Sequence, residues 1–230
     1  LLKKPVFKME DVNQYYDNLE SARSAVKRLM RDGMAVKIRN NMYTCISGET
    51  DAPVAPRFQI ASSITPTSYI SHHTAMEYHG ITAQVFYDVY VSSETSFRDF
   101  AFDGYSYHYI HSRSSEGIDR PVYSGGIAVT NLERTLVDSI KDMDKIAGIE
   151  EVIQDIGSMR RMQEKRLLKY MELYQNQFLY QKMGFLLYCN RGQLGLSESF
   201  FDMCREHSGK SKRYLTRDME SGQYNEEWKL

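Results

Sequence analysis

Two hydrophobic periodicities stand back to back between residues 18 and 43, NLESARSAVKRLMRDGMAVKIRNNMY, and they constrain the fold more than any other stretch. Ala22, Ala25, Val26 and Leu29 recur at helical spacing. Ser24, Lys27, Arg28 and Arg31 keep the same spacing, and at about 100° per residue the two sets point in nearly opposite directions. The pattern predicts a helix with one face to bury and one cationic face, opened by Asn18 as N-cap and stopped at Gly33. Met34 to Arg39 then alternates apolar and basic, and Asn40-Asn41 supplies a reversal before Met42-Tyr43-Thr44-Cys45-Ile46. A short basic hairpin is expected.

Upstream, Met9, Val12, Tyr15 and Tyr16 fall on one helical face after Val6-Phe7, which gives helix, turn, helix and hairpin. That order predicts a winged helix-turn-helix over residues 1–48. The chain begins at Leu1 without a methionine, so an upstream segment and most of the domain's first helix are expected to be missing. A basic amphipathic helix is often only a solvated surface, and it is the adjoining basic hairpin that favours nucleic acid. The charge distribution agrees: residues 1–46 hold nine Lys or Arg against five Asp or Glu, whereas the rest holds 20 against 25. A basic head on an acidic body results.

Residues 49–60, polar and carrying Pro53 and Pro56, read as a linker, and residues 61–230 as a larger C-terminal domain. Its early part predicts a short helix near 57–64, another over 69–80, and strands at 88–92, 98–102, 105–111 and 127–129. A helix follows from Thr130, which has capping-box spacing to Glu133. Beyond Ile146 the periodicity is helical, through Ile149, Val152, Ile153 and Ile156 and then Leu167, Met171, Tyr174 and Phe178. The expected class is α+β: an N-terminal winged helix plus a mixed α/β domain with a small sheet followed by helices.

With 42% hydrophobic and 26% charged residues the composition is that of an ordinary globular protein, and no apolar run approaches the roughly 18 residues of a membrane helix. Three widely spaced cysteines, Cys45, Cys189 and Cys204, make no disulfide framework or zinc spacing. A cytoplasmic protein with no membrane partner is expected.

Groups that could carry chemistry are scattered. His73 and Glu77 sit at i and i+4 on a helix that also holds His72 and His79, yet the arrangement is not HExxH, and a packed helix accounts for it better than a metal. Asp142-Met143-Asp144 lacks the phosphate-cradling loop that would make it a nucleotidyltransferase carboxylate pair. Glu227-Trp228-Lys229 imitates half of a nuclease motif without an upstream Asp, and Ser71-His72 lacks a nucleophile-elbow turn. A second basic group, Arg160, Arg161, Lys165, Arg166, Lys169, Lys210, Lys212, Arg213 and Arg217, suits a solvated helix face better than a binding path. No enzyme, cofactor or metal is expected.

Four segments carry a family resemblance: RLMRDGMAVKIRNNMY at 28–43, YISHHTAMEYHGI at 69–81, GGIAVTNLERTLVDSI at 125–140 and KRYLTRDMESGQYNEEWKL at 212–230. Together they span nearly the whole chain, which resembles the AbiEi-type antitoxins and transcriptional regulators of type IV toxin–antitoxin systems. The Asn-Asn-Met hairpin departs from the Gly-containing turn common there. The resemblance implies a winged helix that represses its own operon and a C-terminal domain that neutralises a nucleotidyltransferase toxin encoded alongside.

The residues and the resemblance converge on an autorepressor and antitoxin whose partners are operator double-stranded DNA and, functionally, that toxin. Lys27, Arg28 and Arg31 would meet phosphates or guanine edges, Arg23 and Ser24 would lie closest to bases, and Lys37 and Arg39 on the hairpin would hold phosphates, with Asn40 and Asn41 at its tip. Two other readings stand beside this one: a metal-dependent nuclease targeted by the winged helix, and an adaptor whose winged helix binds protein.

Overall fold

A computed structural model describes residues 4–82, 84–112, 114–146, 148–216 and 223–230. In chain order the elements are β1 (Val6–Phe7), α1 (Met9–Asn13), α2 (Leu19–Arg31), β2 (Ala35–Arg39), β3 (Met42–Cys45), α3 (Arg57–Ser63), β4 (Tyr69–Ile70) and α4 (His72–Tyr78). Next come β5 (Asp88–Ser93), β6 (Phe100–Phe102), β7 (Tyr105–His111), β8 (Ile118–Asp119), β9 (Val129–Thr130) and α5 (Leu132–Asp142). Helices follow: α6 (Ile149–Ser158), α7 (Glu164–Glu172), α8 (Gln177–Tyr188), α9 (Arg191–Leu194) and α10 (Glu198–His207). The class is mixed α/β, with a three-stranded sheet ordered β1-β3-β2 and a six-stranded sheet ordered β6-β7-β5-β4-β9-β8.

The chain divides into two compact units along lines other than a cut at 49–60. One comprises Leu1–Ile70, Phe86–Arg113 and Asp119–Val129, the other Ser71–Val85, Ser114–Ile118 and Thr130–Leu230. The basic N-terminal segment thus shares a unit with β5 to β7. Residues 49–60 are no free tether: Val54 N donates to Cys45 O at 2.9 Å, Ala55 N donates to Thr44 Oγ1 at 3.1 Å, and α3 begins at Arg57. Pairing with β3 satisfies backbone groups that a solvated linker would leave to water.

In the first unit a small core of Phe7, Val12, Ala22, Val26 and Ala35 closes α1 and α2 onto the three-stranded sheet. The larger sheet pairs β5 parallel to β7 along six residues, from Asp88↔Ser106 to Ser93↔His111, and β6 antiparallel to β7. Short β4 joins β5 antiparallel and β9 parallel, so Ile70 meets both Val91 and Val129. The expected helix over 69–80 therefore begins only at His72, because Tyr69 and Ile70 are spent as a buried strand. Strand β6 likewise starts at Phe100 rather than Arg98.

The second unit is a helical core in which Leu136, Ile140, Ile156, Leu167, Met171, Met183, Leu187, Phe200 and Phe201 pack together. Helix α8 buries residues all around, as an unstriped apolar segment must. Helix α5 is capped by Asn131, whose side chain accepts from Arg134 N at 3.0 Å, and not by Thr130. Thr130 stands in β9 with its hydroxyl 2.7 Å from that of Thr135, and the Glu133 carboxylate accepts from Gln163 N at 3.1 Å instead of closing a capping box.

Candidate nucleic-acid interface

Helix α2 starts where Asn18 Oδ1 accepts from Ser21 N at 2.9 Å and stops where Gly33 takes φ +70°, a left-handed conformation that costs glycine little. Between these ends Ala22, Ala25 and Val26 are buried, whereas Arg23, Ser24, Lys27, Arg28 and Arg31 are exposed. Among the described residues Arg31 pairs with its neighbour, Nε to Asp32 Oδ1 at 3.1 Å on the surface, a weak exposed pair that leaves the cations of this face available to an external anion. Glu20 shares the face one turn earlier, where a carboxylate favours the helix N-terminus.

The hairpin divides the remaining residues. Lys37 and Asn40 are exposed. The Arg39 guanidinium turns onto aromatic rings, with Cζ 5.0 Å from the Phe100 centroid and 5.4 Å from that of Phe97, and its burial lowers its pKa. A displaced register between Lys37 and Arg39 accompanies this turn. Asn41, at φ +56°, accepts from Met9 N at 3.0 Å and donates from Nδ2 to Glu10 Oε1 at 2.9 Å, so it ties the hairpin tip to the start of α1. Arg23, Ser24, Lys27, Arg28, Arg31 and Lys37 thus face solvent, while Arg39 and Asn41 are engaged within the protein. Strand alternation alone could not reveal this, because Phe97 and Phe100 lie some sixty residues downstream. The cluster of aromatics in 97–109 is the one signal that a cation partner was needed.

Chemistry-bearing groups in the second unit have structural partners. Ser71 Oγ lies 2.8 Å from His72 Nδ1, and His72 Nε2 lies 3.5 Å from Asp142 Oδ2. This chain has the polarity of a hydrolytic triad, but Ser71 is fully buried and leaves a substrate no approach. Burial raises the Asp142 carboxyl pKa, and His72 with Lys141 outweighs it, holding the group well below the usual carboxylate range. His73 Nδ1 stands 3.7 Å from Glu151, and among the described residues no three His, Cys, Asp or Glu groups converge as metal ligands. Glu227 is held by Arg205 at 2.8 Å. In the second basic group Lys169 pairs with Glu116 at 2.6 Å and Arg166 with Glu133 at 3.7 Å, while Arg217 lies outside the described residues.

The fold and the exposed cationic helix define a mixed α/β chain with a basic helix–hairpin head; no described helix is long and apolar enough to cross a membrane. No protein-family model matches the chain, and no curated protein matches it. Among solved structures, the RV2827C protein from Mycobacterium tuberculosis has a similar fold, with a TM-score of 0.66 at 14% identity over 98% of this chain and 85% of that one. At that identity the likeness concerns the fold alone.

Proposed function

We propose that β1 to β3 with α1 and α2 form a winged helix-turn-helix that binds operator DNA, and that the protein is a cytoplasmic autorepressor and antitoxin rather than an enzyme. The observation that carries the DNA-binding part is the division of α2, with Ala22, Ala25 and Val26 buried and Arg23, Lys27, Arg28 and Arg31 exposed. A helix about 10–12 Å across fits a major groove, and cations on its free face gain affinity by releasing counterions from phosphates. Lys37 on the hairpin would meet an adjacent phosphate.

Neutralisation of a nucleotidyltransferase toxin is supported by the resemblance to AbiEi-type antitoxins, and it belongs to the chain beyond the DNA-reading head. Two assays test the proposal. Electrophoretic shift of the promoter fragment upstream of the gene should occur with the natural chain and fail with Lys27, Arg28 and Arg31 all replaced by Ala. Co-expression of that triple variant with the neighbouring toxin gene should still rescue growth. Loss of rescue alongside retained DNA binding would contradict the division of labour.

A further inference from the structure

Lys182 occupies the middle of α8, in a run that is otherwise mostly apolar, and only 3% of its side chain is exposed. Its carboxylate partner among the described residues, Asp144, is 3.5 Å away, and Nζ lies 4.7 Å from the Phe178 centroid. Burying an ammonium with so loose a partner is unfavourable, and an apolar residue would spare that cost. The group opens onto a cavity of about 560 Å³, within the size range of small-molecule sites.

Three more cations line that cavity. Lys141 and Lys145 both reach Asp142, the latter at 2.9 Å, and Arg213 lies 5.2 Å from the Phe178 centroid with no carboxylate partner among the described residues. Among the described lining residues four cations face two carboxylates, and Asp142 is already shared between two lysines and His72. These residues therefore carry a surplus of about two positive charges, matched to a phosphate dianion. Tyr214, 76% exposed, stands at the same cavity and offers a ring on which a base could stack.

We propose that this cavity binds the phosphate groups of a small phosphorylated ligand of the nucleotide class, with Lys182 and Arg213 as the principal anion contacts. The site is independent of the operator reading, since none of its residues lies before Lys141. Only Arg213 belonged to a basic run in the sequence; Lys182 betrays itself as a charge inside an apolar helix.

Calorimetric titration of the full chain with pyrophosphate and with ADP, at low salt and without divalent cations, tests the site. Both probes should bind, and Lys182→Met and Arg213→Gln should each weaken binding at least tenfold, with thermal melts confirming that the variants fold. Arg213→Gln decides the matter if Lys182→Met does not fold. ADP binding more tightly than pyrophosphate, with the difference lost in Tyr214→Ala, would support the nucleotide class through the stacked base; equal binding would overturn that class. Failure of both probes to bind at millimolar concentration would overturn the proposal. So would binding unchanged by Arg213→Gln, or capture of an acidic polypeptide such as polyglutamate while neither phosphate probe binds.

Discussion

The Arg39 guanidinium lies 5.0 Å from the ring centroid of Phe100, so the tip of the basic hairpin is fastened to the six-stranded sheet by a cation–π contact. Such a contact is worth about 1–2 kcal/mol when partly shielded from water. Arg39→Ala should therefore lower unfolding stability by about that amount in urea titrations. On operator DNA it should leave the salt dependence of binding nearly unchanged, whereas Lys37→Ala should reduce the slope of log K against log salt by about one. Equal slopes for the two variants would contradict the assignment.

Gly184 in α8 gives space to the Trp228 indole, since a Cβ built there would come within 2.0 Å of the ring. The indole is 2% exposed and packs against Phe201 with centroids 6.4 Å apart. Gly184→Ala, despite its better helix propensity, should cost about 1–3 kcal/mol through overpacking. Trp228→Ala should cost about 3–5 kcal/mol through the cavity left behind. Thermal denaturation monitored by circular dichroism would measure both, and a Gly184→Ala protein more stable than the natural one would refute this packing.

Arg134 is fully buried and hydrogen-bonded at Nε to Asp138 at 2.8 Å, at Nη1 to Glu116 O at 2.7 Å and at Nη2 to the Tyr174 hydroxyl at 2.9 Å. Removing the cation with Arg134→Ala leaves the Asp138 carboxylate buried without it, at a cost of about 3–5 kcal/mol. The double variant Arg134→Met, Asp138→Leu should recover more than half of that loss, which a double-mutant cycle would read directly.

A pair of acids makes stability depend on pH. Burial pushes the Glu151 carboxyl up to about 7, helped by repulsion from Asp155, and burial pushes Asp155 up to about 6. Both pKa values are raised above those of the unfolded chain, so the folded state holds protons that the unfolded state has released. Their stabilisation is present below about pH 4 and is lost as pH rises through 6 and 7. Asp155→Asn should raise stability at pH 8 by about 2 kcal/mol and do little at pH 4. Equilibrium unfolding at the two pH values gives the comparison, and a gain confined to pH 4 would have the wrong sign.

Local signals were legible where a single element contains its own reason. Asn18 and Gly33 bound α2, the apolar spacing of Ala22, Ala25 and Val26 names its buried face, and strands β5 and β7 lie where alternation puts them. What could not be read depends on contacts made across the sequence. Tyr69 and Ile70 become a strand because β5 and β9 flank them, and Asn131 displaces Thr130 as the cap because β9 claims Thr130. The cavity cations come from α5 and the turn that follows it, from α8 and from the segment after α10, so no one local window contains all of them. Residues 49–60 look like a linker from their prolines, but their backbone hydrogen bonds go to β3.

The most direct test of the DNA-reading claim is the salt dependence of operator affinity for the natural chain and for Arg28→Ala, Arg31→Ala. Both side chains are exposed on α2, so the double variant should keep its melting temperature. The double variant should bind at least tenfold more weakly at low salt, and its slope of log K against log salt should fall by about two. Affinity and slope both equal to those of the natural chain would show that α2 does not lie on DNA.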